Sequence, residues 1–198
     1  MTYERLLKIN KPFFSQDEVA YALDIKPASA AVLCSRYVKK GLLIRLKRGL
    51  YTRAETFGHL GQVDLFRIAN ILQVPSYISL MTALSYYGIT TQVQRGFFES
   101  ISIRRTVKFE AKGISFRYMK IMPDLYGGFE RKEGVFIALP EKAILDCFYF
   151  ASMGRYALDI PSLDLTRVNE EVLEKLSVIY PLKTKKFFER NYAKIKRS

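Results

Sequence analysis

The hydrophobic pattern of residues 15–53 predicts two short helices, a turn and a β-hairpin, in that order. Ser15 stands three residues before Glu18, so the two can form a capping box at the start of the first helix. The apolar positions that follow recur at helical spacing: Val19, Ala20 and Leu23. Asp24 and Ile25 form the predicted turn.

A second helix is predicted to begin at Pro27, which suits the first helical position because its missing N–H would be unsatisfied there anyway. One stripe of this helix is apolar and predicted to be buried: Ala30, Leu33, Tyr37 and Val38. The opposite face carries mostly small or basic residues that could approach base edges in a DNA groove: Ala28, Ser29, Val32, Ser35, Arg36 and Lys39. Gly41 closes the helix.

The strand-like period begins after Gly41. Leu42, Ile44 and Leu46 alternate along the chain with Leu43, Arg45 and Lys47. Lys47-Arg48-Gly49 is predicted to be the turn, with both cations at its tip, and Leu50 to Thr52 runs back. Two helices followed by a basic hairpin predict a winged helix-turn-helix, in which the second helix enters a DNA groove.

The residues predicted to bind double-stranded DNA fall into three groups. Ser35 and Arg36 are predicted to contact bases, and an arginine paired to guanine is worth about 1–3 kcal/mol of discrimination. Lys47 and Arg48 are predicted to meet phosphate or to reach the minor groove. The other predicted contacts, mostly to flanking phosphates, are Lys26, Ser29, Lys39, Lys40 and Arg45. A helical subdomain with a solvated hairpin, or one that binds protein, is the open alternative.

The remaining chain predicts a second domain. Residues 1–54 form the predicted DNA-binding domain, residues 55–62 the junction and residues 63–198 a C-terminal α+β domain. Its predicted elements are helices over residues 64–73, 79–88, 140–151, 167–180 and 183–194, and strands over residues 97–103, 114–120 and 135–139. The predicted fold class is therefore α+β, with a winged helix-turn-helix followed by a mixed α/β domain that contains a small, mostly antiparallel sheet.

Composition narrows the class of partner. The chain has 198 residues and a net charge of +13, from 32 Lys and Arg against 19 Asp and Glu. Residues 1–60 carry a net +6, residues 61–160 a net +3 and residues 161–198 a net +4. Such a balance favours an anionic partner. Both ends are basic, and the C-terminal basic helix, which ends in KIKRS, could also bind nucleic acid.

Cysteine usage and hydropathy indicate a cytoplasmic protein without a metal or other cofactor. Cys34 and Cys147 lack the spacing of zinc ligands, and His59 is the only histidine, so both cysteines are predicted to be buried, reduced thiols. The N-terminus lacks an apolar core of signal-peptide length. No apolar run reaches the roughly 18 residues of a membrane span.

Three possible catalytic patterns are weak, and the sequence predicts no enzyme. Asp124 and the triplet at residues 130–132 formally match a PD…ExK nuclease motif, but an exposed turn between strands is the favoured interpretation. Lys142 and Asp146 are four residues apart on a helix and are predicted to form a surface ion pair. His59 is predicted to be a solvated loop residue, because no base or nucleophile accompanies it.

Three segments together resemble the AbiE-type antitoxins of bacterial abortive-infection systems. They are the hairpin that ends in KRGLYTR, the helix and glycine of YISLMTALSYYGIT (residues 77–90), and the strand–Pro–Glu–helix of ALPEKAILDCFYF (residues 138–150). The resemblance covers most of the chain. It implies the antitoxin of a type IV toxin-antitoxin pair in phage defence, which represses its operon by binding promoter repeats. It further implies that the C-terminal domain counters a nucleotidyltransferase-like toxin without a stable complex.

Two other functions stay open at this level. One is a stand-alone winged-helix transcription regulator whose C-terminal domain senses a ligand. The other is a nuclease or transferase, which would need clustered carboxylates or a histidine in a cleft.

Overall fold

The structure, a computed structural model, describes residues 2–92 and 94–195; the last three residues of the basic KIKRS segment lie outside the described residues. The chain is an α+β protein that divides into two compact units. The first unit contains the residues up to Ile68 together with Phe109–Ile114. The second contains Ala69–Lys108 and the residues from Ser115 onward.

The N-terminal elements are mostly helical, with one small sheet. In chain order they are α1 (Thr2–Leu7), β1 (Phe14–Ser15), α2 (Gln16–Leu23), α3 (Pro27–Lys39), β2 (Leu43–Lys47), β3 (Leu50–Arg53), α4 (Ala54–Phe57) and α5 (Gln62–Leu72). The sheet has the order β1-β3-β2, and both pairings are antiparallel. The N-terminal elements enclose a core of apolar residues from these helices and strands, among them Leu6, Phe14, Val19, Leu23, Cys34, Tyr37 and Leu43.

The local signals for α2 and α3 are confirmed. The Glu18 N–H donates to Ser15 Oγ at 3.1 Å, and the Ser15 N–H donates to Glu18 Oε2 at 2.8 Å, which completes the capping box. Asp24 ends α2 in the left-handed region, at φ 55°. Pro27 opens α3, and Gly41 follows it at φ 72°, a conformation that glycine adopts without strain.

The remaining elements of the described residues are six strands and four helices, with β5 to β9 consecutive apart from one 3₁₀ turn. They are β4 (Ser76–Ile78), α6 (Leu80–Tyr86), β5 (Phe97–Ser102), β6 (Val107–Ala111), β7 (Ile114–Lys120), β8 (Phe129–Lys132), β9 (Val135–Ala138), α7 (Pro140–Ser152), α8 (Glu170–Ser177) and α9 (Leu182–Ile195). Short 3₁₀ turns lie at Pro123–Leu125, Ile160–Ser162 and Leu165–Arg167. The long helix predicted over residues 167–180 is therefore shorter, and Asn169 caps it by accepting from the Val172 N–H.

The larger sheet is mixed and six-stranded, with the order β6-β7-β5-β4-β9-β8. Strand β4 pairs antiparallel with β5 and parallel with β9, while β5 pairs parallel with β7. The prediction of a small, mostly antiparallel sheet was wrong in this respect. One parallel pairing comes from β4, a three-residue buried strand that the pattern assigned to the entry of a helix, since so short a run carries no period. The other joins β5 and β7, whose pairing depends on contacts that the pattern does not show.

Helix α7 lies in the core of the second unit, where it packs against α6, α8 and α9. Its residues from Glu141 to Phe150 are all buried, including three charged ones. The predicted surface ion pair between Lys142 and Asp146 is therefore wrong in its location: the pair exists, but the two side chains are only 2% and 0% exposed. Throughout the described ranges, no helix is both long and apolar enough to cross a membrane.

Candidate nucleic-acid interface

Helix α3 separates its residues cleanly into two faces. Ala30, Cys34 and Tyr37 are buried against the core of the first unit, and the Tyr37 ring meets Tyr3 of α1 edge-on at 5.4 Å between centroids. The opposite face is open to solvent along its whole length: Ala28, Ser29, Val32, Ser35, Arg36 and Lys39 are all exposed. The side chains that could read a groove are thus the ones that the fold leaves uncovered.

Three of the predicted contact residues share one shallow cavity on this face. Ser35, Arg36 and Lys39 line it together with Ala31 and Val32, and its volume is about 470 Å³. Val32 is 61% exposed, so an apolar methyl surface stands among the polar groups. Small side chains beside an arginine and a lysine leave room for a helix to approach a nucleic-acid groove.

The two ends of α3 carry further exposed cations. Lys26 is its N-cap residue, and Lys40 its C-cap residue. The first turn contains no acidic side chain, and Lys26 makes no side-chain cap, so the partial positive charge of the helix N-terminus is not neutralised from within the helix. That arrangement favours a phosphate at this end.

The hairpin places its cations differently from the prediction. Lys47 pairs with Leu50, so the turn itself contains only Arg48 and Gly49, with Gly49 at φ 74°. Arg48 is exposed, whereas Lys47 is the half-buried last residue of β2, and burial lowers the pKa of its ammonium group. Arg45 is exposed on β2, directly opposite Tyr51. Arg48 is therefore the better-presented cation of the predicted pair.

Hydrogen bonds hold this hairpin to the segment around α2. The Gln16 N–H donates to the carbonyl of Gly49 at 3.0 Å, directly at the turn. The Thr52 hydroxyl donates to the carbonyl of Pro12 at 2.7 Å, and β1 pairs with β3 through Phe14 and Ser15. The hairpin is consequently a fixed part of the first unit.

The charge of this region is of one sign. Residues 25–54 contain eight Lys and Arg and no Asp or Glu. Of the nine predicted contact residues, all are exposed except the half-buried Lys47. This acid-free run is stronger evidence for a phosphate-binding surface than the net charge of residues 1–60, because it coincides with α3 and the hairpin. Such a surface attracts phosphate through its summed field as well as through single contacts.

The other candidate residues lie on different elements of the fold. Asp124 lies exposed in a 3₁₀ turn, and Glu130 to Lys132 lie on β8. The Lys132 ammonium group sits over the rings of Tyr86 and Tyr87, at 5.3 and 5.4 Å from their centroids. His59 is exposed in a loop, as predicted. Among the described residues, no group of three or more His, Cys, Asp or Glu side chains could hold a metal ion.

Sequence reasoning missed a buried polar cluster around Lys142 and Asp146. Asp146 accepts hydrogen bonds from Ser79 Oγ at 2.7 Å and from the hydroxyls of Tyr77 and Tyr180 at 3.0 and 3.1 Å. Lys142 pairs with Asp146 and donates to the Tyr180 hydroxyl at 2.6 Å. Burial, followed by the charge of Asp146, raises the pKa of both tyrosines. The side chains of this cluster are buried and hydrogen-bonded to one another in the core of the second unit.

Both cysteines are buried, as predicted. Burial raises the pKa of the Cys34 thiol to about 11 and that of Cys147 well above its ordinary value. No protein-family model matches the chain, and no curated protein matches it.

Proposed function

We propose that this protein is a cytoplasmic transcriptional repressor and antitoxin of a type IV toxin-antitoxin pair that acts in phage defence. In this proposal α2, α3 and the β2–β3 hairpin form a winged helix-turn-helix that binds repeats in the promoter of its own operon. The rest of the chain counters a nucleotidyltransferase-like toxin without forming a stable complex with it.

The exposed, acid-free surface of α3 and the hairpin is the observation that carries the DNA-binding part. Arg36 and Lys39 lie in one cavity beside Ser35, and Arg48 stands in the hairpin turn. Helix-turn-helix proteins read bases from the second helix and hold phosphates with flanking groups. The order of elements and the position of the cations support that mode of binding here.

The test measures binding of the full chain to the promoter of its own operon by fluorescence anisotropy over a range of salt concentrations. The variant combines Arg36→Ala, Lys39→Ala and Arg48→Ala, which are exposed and outside the core. We expect loss of specific binding, and each lost phosphate contact should reduce the slope of log K against log salt by about 0.9. Unchanged affinity at matched salt would refute the assignment of this surface.

A variant of equal charge loss controls for non-specific attraction. Arg104→Ala, Arg105→Ala and Arg131→Ala remove three cations from exposed positions outside α3 and the hairpin. This triple variant should retain specific binding and the wild-type preference for promoter over unrelated DNA. If both triple variants lose affinity alike, the charge acts without a defined interface.

The antitoxin part is supported by the resemblance of the three sequence segments. Its test is co-expression of the full chain with a nucleotidyltransferase-like toxin encoded beside it. We expect rescue of growth, and we expect the α3 and hairpin variant to rescue as well when it is produced from an unrelated promoter. Failure of the wild-type chain to rescue would remove the antitoxin role while leaving DNA binding unaffected.

A stand-alone regulator with a ligand-sensing C-terminal domain is the second candidate. It is favoured by a cavity of about 580 Å³ that lies within the second unit. That size falls in the range of small-molecule sites.

A further inference from the structure

The cavity of the second unit is built on two neighbouring strands. Glu99 of β5 and Arg117 of β7 are direct partners across a parallel pairing, and both line the cavity. Met81 and Phe97 form an apolar part of the cavity wall. Arg155 and Tyr156, which follow α7, also line the cavity. A concave site with a few polar groups set among apolar ones is the usual form of a ligand pocket.

Glu99 is among the residues that line this cavity, although it is only 1% exposed. Its Oε2 accepts a hydrogen bond from the Tyr156 hydroxyl at 2.6 Å. Burial raises the pKa of the Glu99 carboxyl, although the hydrogen bond from Tyr156, the charge of Arg117 and further hydrogen bonds from the Met81 backbone and Gln94 act in the opposite direction. A cation placed beside this buried carboxylate would stabilise its charged form.

The partner cation stands close but not in contact. Arg117 Nη1 lies 3.8 Å from Glu99 Oε1, which is beyond hydrogen-bond distance, and the Arg117 side chain is 37% exposed. Arg155 adds a second, exposed cation to the same cavity. The cavity thus places a buried carboxylate beside two guanidinium groups, of which that of Arg155 is exposed and that of Arg117 is partly exposed.

We propose that this cavity binds a free α-amino acid with an apolar side chain. Its ammonium group donates to Glu99, and its carboxylate pairs with Arg117. An α-amino acid carries these two groups on one carbon, which matches a carboxylate and a guanidinium held side by side. Charge-assisted hydrogen bonds of both kinds are the strong ones in protein sites. The apolar side chain packs against Met81 and Phe97. This inference does not depend on DNA binding or antitoxin activity.

The test is isothermal titration of the full chain with each of the twenty standard amino acids at millimolar concentrations. We expect saturable binding of at least one with a large apolar side chain. The N-acetyl and methyl-ester derivatives of that amino acid should bind at least tenfold more weakly, because each removes one of the two charged groups. Binding of none of the twenty, or equal binding of the blocked derivatives, would overturn the proposal.

Two substitutions and one matched control assign the site. Glu99→Gln keeps the side-chain volume and an acceptor for Tyr156, and Arg117→Gln removes the cation from a partly exposed position. Each should weaken binding at least tenfold, whereas Arg104→Gln, at an exposed position outside the cavity, should leave it unchanged. Circular dichroism verifies folding; if Glu99→Gln fails to fold, Arg117→Gln decides. Inorganic phosphate is titrated as well, and competition by phosphate at equal affinity would show a general anion site instead.

Discussion

Helices α3 and α7 share their sequence signals and differ in what covers their charges. Each has 13 residues, begins with proline and carries one buried cysteine. On α3 the charged residues Arg36 and Lys39 are exposed. On α7 the charged residues Glu141, Lys142 and Asp146 are all buried. A charge on a helix can therefore serve recognition or internal order, and its surroundings decide between them.

The two helices differ in how many other elements pack against them. Helix α3 packs on one side, against α2 and β2, whereas α7 is contacted by α6, α8, α9 and β9. Charges on the open side of α3 keep their hydration and stay available to a phosphate. Charges on α7 have lost water, so each of them must find a partner inside the protein.

The largest expected effect follows from removing one partner of the buried pair. Asp146→Ala would leave Lys142 without its counter-ion, and Tyr77 and Ser79 without their acceptor. We expect the free energy of unfolding to fall by about 3–5 kcal/mol, as for other broken buried pairs. Urea denaturation measures it, with Lys39→Ala on α3 as the exposed control, which should change stability by less than about 0.5 kcal/mol. A loss below about 1 kcal/mol for Asp146→Ala would contradict the view that α7 depends on this pair.

The second effect concerns recognition and should appear on α3 alone. Arg36→Ala is expected to remove about 1–3 kcal/mol of discrimination between promoter repeats and unrelated DNA, if Arg36 contacts a guanine. Lys39→Ala should instead weaken binding to both sequences alike, because a phosphate contact carries no sequence information. Competition gel shifts at fixed salt separate the two outcomes. An equal loss for promoter and unrelated DNA with Arg36→Ala would place that side chain on phosphate.

The region around α3 could be predicted from the sequence better than the region around α7. Helices α2 and α3 and the hairpin were predictable because their signals are local: a capping box, an N-terminal proline, a glycine at positive φ and a change of period. The exposed face of α3 was predicted residue by residue. The position of Lys47 was not, because a register shift between Arg45 and Lys47 moves it into the strand.

The second unit was less predictable, since its arrangement depends on contacts distant in sequence. Residues Ala143 to Phe150 are almost continuously apolar. The sequence therefore has no alternation of apolar and polar positions that would show which faces of α7 are buried. The spacing of Lys142 and Asp146 is that of an ordinary surface pair. Their burial depends on Tyr180, 38 residues after Lys142, and on Tyr77, 69 residues before Asp146. The juxtaposition of Glu99 and Arg117 likewise exists only through the pairing of β5 with β7.

A third, intermediate effect tests the capping box at the start of α2. Helix α3 has no side-chain cap of its own, whereas α2 begins with a complete capping box. Ser15→Ala should lower the free energy of unfolding by about 1 kcal/mol, because the Glu18 N–H loses its acceptor. Ser15→Thr retains the hydroxyl and is the matched control in the same urea titration. If Ser15→Ala and Ser15→Thr are equally stable, the capping box does not contribute.

The smallest effect belongs to an ion pair with the same spacing as the buried one. Lys175 pairs with Glu171 across one turn of α8 at 2.6 Å, and the two side chains are 72% and 76% exposed. Lys175→Ala should lower the free energy of unfolding by only about 0.2–0.5 kcal/mol, because water already solvates both groups and salt screens them. High salt should abolish this difference in urea titrations, while the loss caused by Asp146→Ala should persist. Similar losses for the two variants would mean that burial is not what distinguishes α7 from the exposed helices.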